Sequence, residues 1–241
     1  MLVNSSHPLF PVILSKYLTN LHEITLFSFH SKTIGHKVIS MNRPRRSEQT
    51  REALIEAGIQ QLSVHGYHGT GIKQILDEVS VPKGSFYNFF ASKEAFVAEV
   101  ISHYSHDLLN QLSEFINGEG KALTPIEQLR SIYRYSLKQY ASHEFKKSCL
   151  VGSIATEISA ESEMCRLELE RAMKKWLQFF STIFAEAQTQ QLVRDDISST
   201  DMAAVYWAAW EGALIKMKMS ADTQPVKRIM ELMIETLLKV K

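Results

Sequence analysis

Cysteine is scarce in this chain: Cys149 and Cys165 are the only two among 241 residues. Two cysteines cannot build a disulfide framework, so a reducing cytoplasm is the expected compartment. Long apolar runs are missing. None approaches the roughly 20 residues of a membrane span, and no membrane partner is expected. A signal peptide is not evident: no basic stretch precedes Pro8, and Lys16 and His22 interrupt the apolar run. Excess charge of either sign is also lacking, with 27 Lys and Arg against 26 Asp and Glu. Any surface for nucleic acid must therefore come from local clustering. No phosphate loop or metal-ligand spacing occurs, and no acid–base partner sits at a recognisable spacing from a nucleophile. Hence no catalytic residue, metal or cofactor is expected.

What is present is 45% hydrophobic, enough for one domain or two small ones. Residues 1–40 stand apart. They carry Glu23 as their one acid, four histidines (His7, His22, His30, His36) and no sustained helical stripe. They read as a non-native or disordered extension: translated upstream sequence before a start at Met41, or a loose tail. A functional arm is the third reading.

From Ser47 onward the period is helical, punctuated by Gly and Pro, with no alternating strand. Leu54, Gly58 and Leu62 predict a first helix over about 50–64, stopped at Gly66. Ile72, Ile75, Leu76 and Val79 mark a second. Pro82 fits the first turn of a third, with Phe86 and Phe90 buried. Ser92 caps a long fourth helix that ends near Gly118. Thr124-Pro125-Ile126-Glu127 is a capping box with Pro at the first position. Further helices start near Cys149, before Leu167, at Ser198 to Asp201 and at Pro225. The fold class is all-α, with about nine helices: an N-terminal three-helix helix-turn-helix domain over 41–95, then a helical bundle over 96–241 for sensing and dimerisation.

The short break between Val79 and Pro82 forces two helices to cross steeply, as in a helix-turn-helix whose second helix enters the major groove. Lys83, Gly84, Ser85, Tyr87 and Asn88 are the expected exposed residues of that helix. Gly84 lets the backbone approach DNA, while Lys83, Ser85 and Tyr87 supply groups suited to phosphate oxygens. Lys93 adds a phosphate-directed charge. An ordinary helical corner would look similar by composition alone.

The run Gly66-Tyr67 to Thr70, then Ile72 to Val79, then Val81-Pro82-Lys83-Gly84-Ser85-Phe86-Tyr87-Asn88-Phe89-Phe90 and Ser92-Lys93-Glu94 resembles the N-terminal signature of the TetR/AcrR family of regulators. About 50 residues from Arg51 carry the likeness. It implies that Thr70, Lys83 and Tyr87 contact DNA, that Lys93 grips a phosphate, and that Pro82, Gly84, Ser85 and Asn88 line the groove. Arg51 and Lys73 complete the expected set. Gly71 also belongs to it, but it departs from the family's Ser or Thr and leaves capping and phosphate contact to Thr70. Arg43, Arg45 and Arg46 resemble a DNA-directed arm, and a solvated tail reads equally well.

The resemblance implies a double-stranded operator, a homodimer and an effector site in the C-terminal part. The small residues around Ala208 to Ala213, with the final helix, are the candidate two-fold interface; the alternative is that these alanines pack inside one subunit. Tyr133, Tyr140, Trp176, Phe180 and Trp207 line a pocket or form plain core. Ser148-Cys149-Leu150-Val151, Glu157-Ile158-Ser159, Trp210-Glu211-Gly212-Ala213 and the Lys216–Lys218 region resemble a subgroup of that family. In some of its members a cysteine senses electrophiles or oxidants. Lys146, Lys147 and a helix start are expected to lower the Cys149 pKa; a buried inert thiol is the alternative. Acidic neighbours Glu161, Glu163 and Glu168 are expected to raise that of Cys165. The expected function is a repressor released by a small molecule or by modification of Cys149. A thiol enzyme and a helical interaction module are the competing classes.

Overall fold

The computed structural model describes residues 46–147 and 149–239; residues 1–45, with the extension and two of the arm's arginines, lie outside them. Nine α-helices and no strand occur among the described residues. They are α1 (Arg46–His65), α2 (Ile72–Val79), α3 (Lys83–Phe89), α4 (Lys93–Asn117), α5 (Pro125–Ser142), α6 (Leu150–Ile158), α7 (Glu163–Thr189), α8 (Ser199–Ser220) and α9 (Gln224–Leu232). A 3-10 turn at Glu119–Ala122 precedes α5, and a π turn at Met233–Leu237 follows α9.

The head is α1 to α3, closed by the start of α4. Its core is an aromatic knot. The Phe86 and Phe96 ring centroids lie 5.3 Å apart, those of Phe90 and Phe96 4.8 Å, and all three side chains are buried. Gly58 makes room: a Cβ there would stand 2.4 Å from the Phe96 ring. Helix α4 is 25 residues, about 37 Å at 1.5 Å per residue, and runs from head to body. In the body α7 packs along α4 and α8, and α9 returns onto α8.

The starts read from the caps hold. Ser92 Oγ accepts from Ala95 N at 3.1 Å, and Thr124 and Glu127 close a reciprocal box. Ser198 Oγ accepts from Asp201 N at 3.1 Å. Three boundaries move. Helix α1 opens at Arg46 rather than near 50, because its first residues are polar and exposed and leave no apolar stripe to read. Pro82 is the N-cap of α3, not its first residue, and Cys149 is likewise the N-cap of α6.

Candidate DNA-binding head and effector cavity

The turn between α2 and α3 is tight because Ser80 takes a left-handed conformation (φ 53°), so that Val81 N reaches Leu76 O at 3.1 Å. Buried Ile75, Leu76, Phe86 and Phe90 fix the two helices against α1 and α4. The opposite side of α3 is free. Tyr87 is 55% exposed, Asn88 and Pro82 are exposed, and Ser85 is half-buried. Lys83 opens the helix. Nothing stands within 4 Å of a Cβ placed on Gly84, so no contact within the chain demands glycine there. Lys73 and Gly71 are exposed on α2 and its cap. Six of the expected residues are thus exposed on α2, α3 and their caps: Gly71, Lys73, Pro82, Gly84, Tyr87 and Asn88.

Thr70, Lys93 and Arg51 are placed differently. Thr70 is buried and its hydroxyl donates to Gly66 O at 2.7 Å, so it neither caps α2 nor faces outward. The cap is Gly71, whose N–H donates to Gln74 Oε1 at 2.6 Å. Gln74 thereby makes the reciprocal half of a capping box; the hydroxyl half is missing, and the Gln74 N–H bonds to Gly71 O at 3.1 Å instead. Lys93 Nζ donates to Tyr67 O at 2.7 Å and lies 4.1 Å from the centroid of the Tyr67 ring. Burial lowers its pKa against the pull of Glu94 and Glu157. Arg51 pairs with Glu99 and sits 5.4 Å from the Phe90 ring centroid. In the free chain these two cations brace the head.

The body holds an aromatic cavity of about 60 Å³. All five aromatics singled out above line it: Tyr133, Tyr140, Trp176, Phe180 and Trp207. Tyr104, Leu108 and Leu112 from α4, Ile132 and Ser136 from α5, and Tyr206 and Trp210 from α8 add to the wall, in which no Lys, Arg or His occurs among the described residues. Trp176 Nε1 is buried without a hydrogen-bond partner. Such a donor carries an unpaid desolvation cost of ~1–3 kcal/mol.

Cys149 belongs to the same wall, and here the sequence expectation fails. Its pKa is raised well above the ordinary thiol value, not lowered. Burial is the main cause and the Glu211 carboxylate the next. Lys146 points away to Glu144 at 2.5 Å, and Lys147 Nζ reaches Gln60 Oε1 at 2.6 Å on α1. Neither lysine offsets the burial. Burial likewise lifts Glu211 to about 7, opposed by its hydrogen bond with Cys149, and lowers Lys147 to about 8. For Cys165 the direction agrees with expectation, but burial leads and the acid responsible is Glu94 on α4.

The small residues around Ala208 to Ala213 divide between the two readings: Ala208 and Gly212 are exposed and Ala209 is half-buried, whereas Ala213 is buried inside the subunit. Ala204 is exposed as well. Beside them Val205 is 52%, Ile215 62% and Met219 83% exposed, and Leu232 on α9 is 55%. Exposed large apolar side chains gathered on two helices in this way are unusual on a monomer. No helix among the described residues is long and apolar enough to cross a membrane, and no cluster of three His, Cys, Asp or Glu positioned for a metal occurs among them.

A helix-turn-helix head with an exposed second helix, joined through α4 to a helical body with an apolar cavity, defines a DNA-binding transcriptional regulator. Comparison with known proteins specifies which kind. Residues 54–100 match the family described as bacterial regulatory proteins, tetR family, and residues 125–233 match the tetracyclin repressor-like C-terminal domain. The chain is 30% identical to the HTH-type transcriptional repressor DhaR of Mycobacterium sp. (strain GP1) over 78% of its length and 92% of that protein. It is 31% identical to the transcriptional regulator AcuR of Cereibacter sphaeroides over 76% of its length and 84% of that protein. The crystal structure of the reduced form of E. coli NemR superposes with a TM-score of 0.69 at 25% identity, covering 76% of this chain and 94% of that one. The protein belongs to the TetR family.

Proposed function

We propose that this regulator is a cytoplasmic repressor. It binds operator DNA as a homodimer and leaves it when a small molecule occupies the aromatic cavity. The carrying observation is the place of that cavity: Cys149 at the start of α6 lines it, while Glu157 at the far end of α6 hydrogen-bonds the head. DhaR is named a repressor, which supports the sign of regulation. We assign the contact surface to Gly71, Lys73, Pro82, Lys83, Gly84, Ser85, Tyr87 and Asn88. Thr70, Lys93 and Arg51 hold that surface in shape, and Lys93 keeps donors to spare for a phosphate. The dimer face is the strip of α8 from Ala204 to Met219 with Leu232 of α9. No catalytic role is proposed, since the wall of the cavity holds no histidine or lysine beside the thiol.

A second reading makes Cys149 itself the sensor. Its position in the wall favours it, as does likeness to a protein whose reduced form has been crystallised. A raised pKa makes this thiol slow towards ordinary reagents at neutral pH, so the modifier has to be small enough to enter the cavity. A gel-shift titration on the promoter upstream of the chain's own gene tests both readings. Specific retardation, relieved by a small electrophile in wild type but not in Cys149→Ser, supports the sensor reading. Retardation relieved equally in both supports a non-covalent effector. No specific retardation contradicts the repressor.

A further inference from the structure

We propose that Lys147 and Glu157 are positioning residues: a two-point polar clamp that sets the angle of the DNA-binding head on the body. The proposal rests on the reading of α1 to α3 as that head.

The two residues bracket α6. Lys147 lies just ahead of its N-cap, and its Nζ donates to Gln60 Oε1 at 2.6 Å on α1. Glu157 lies in its last turn, and its Oε2 accepts from the His68 backbone N–H at 2.9 Å, in the turn after α1. The partners, Gln60 near the end of α1 and His68 in the turn that follows it, come in the same chain order, so α6 runs alongside the head and is held at each end. The helix has nine residues and is about 13 Å long. Two directional bonds at that separation fix register and tilt, which apolar contact alone leaves free to slide.

The fit at the second point is specific. Gly66 has φ +69°, and a Cβ on it would lie 2.0 Å from Glu157 Oε1. The carboxylate occupies the space that a side chain would fill, and the positive φ is one that glycine adopts without strain. A second glycine–carboxylate seat occurs near the other end of α6: a Cβ on Gly152 would lie 2.2 Å from Glu211 Oε2. Cys149, three residues earlier, lines the cavity. A ligand that displaces the cavity end of α6 therefore moves the end that grips the head. No flexible joint intervenes within the helix.

Hydrogen exchange on the full-length protein tests the clamp. Glu157→Ala is expected to accelerate amide exchange by about tenfold in 66–82, as the loss of a charge-assisted bond implies, with α7 and α8 unchanged. Glu157→Gln, which still accepts from His68, restores slow exchange. Gly66→Ala, which evicts the carboxylate, behaves like Glu157→Ala. Lys147→Met loosens the α1 side in the same way. The second readout is binding to operators, selected in vitro, whose half-sites are moved apart or together by one base pair. Wild type discriminates between spacings, and Glu157→Ala discriminates several-fold less. Unchanged exchange in Glu157→Ala overturns the clamp whatever the DNA result. Faster exchange with undiminished spacing preference overturns its positioning role. If wild type selects no DNA, the regulator reading falls, and the clamp is still decided by exchange.

Discussion

Cys149, in the wall of the aromatic cavity, hydrogen-bonds the Glu211 carboxylate: the carboxylate adds to the burial that raises the thiol's pKa, while the same bond lowers that of Glu211 against a larger rise from burial. The consequence for the folded protein is a dependence on pH that comes from Glu211. Its folded value of about 7 lies above the ordinary 4.5, so the folded state binds this proton more tightly than the unfolded chain. The acid imposes no penalty below pH 4.5, and stability falls as pH rises from there through about 7. The full loss is about 3 kcal/mol, at 1.36 kcal/mol per pKa unit.

Glu211→Gln removes the titrating group and keeps its shape. Chemical denaturation at pH 5 and pH 8 is the check. The variant is expected to lose less stability than wild type between these two conditions, and to be the more stable protein at pH 8. An equal loss in both would show that Glu211 is not buried as described.

Lys93 has two duties, and one substitution separates them. Lys93→Ala removes the bond to Tyr67 O, leaving a carbonyl without its donor at a cost of about 1–2 kcal/mol. It also removes one phosphate-directed charge, which flattens the plot of log K against log salt by about 0.9. Lower thermal stability with an unchanged salt slope would make Lys93 a brace alone.

The exposed strip of α8 predicts the effect of Gly212→Gln. Nothing stands within 4 Å of a Cβ at this position, so the subunit accommodates the side chain. Replacing a mid-helix glycine also strengthens the helix by about 0.5–1 kcal/mol. The expected result in sedimentation velocity is a folded monomer. A persistent dimer would move the interface elsewhere.

Much of this was legible in the sequence, and the reason differs by element. The recognition unit shows because its caps and apolar spacings are local: Ser92, the Ile72 to Val79 stripe and the Phe86/Phe90 pair act within one or two turns. The five cavity aromatics show as buried, but periodicity gives a face and not a depth, so Trp176 reads the same whether it borders a void or packed core. What stayed hidden depends on distant partners. The pKa of Cys149 is decided by burial and by Glu211, not by the lysines beside it in the chain. The roles of Thr70 and Lys93 turn on two backbone carbonyls, Gly66 O and Tyr67 O, which no residue pattern displays. Glu157 reaches His68 across 89 residues. The glycine at 66 is the local sign, and in the sequence it reads as an ordinary helix stop; the +69° φ that seats Glu157 shows only in the fold.

The most direct measurement of the central claim is DNA binding by wild type and by Tyr87→Ala combined with Lys83→Ala, on the same operator across a range of salt. Both positions belong to α3; Tyr87 is 55% exposed and only its edge meets the buried Phe86 ring, so the fold is expected to survive. The account predicts specific binding by wild type and a loss of at least tenfold in the double variant, with unchanged helicity. Binding at wild-type strength by a correctly folded double variant would contradict the assignment of α3 as the helix that reads DNA.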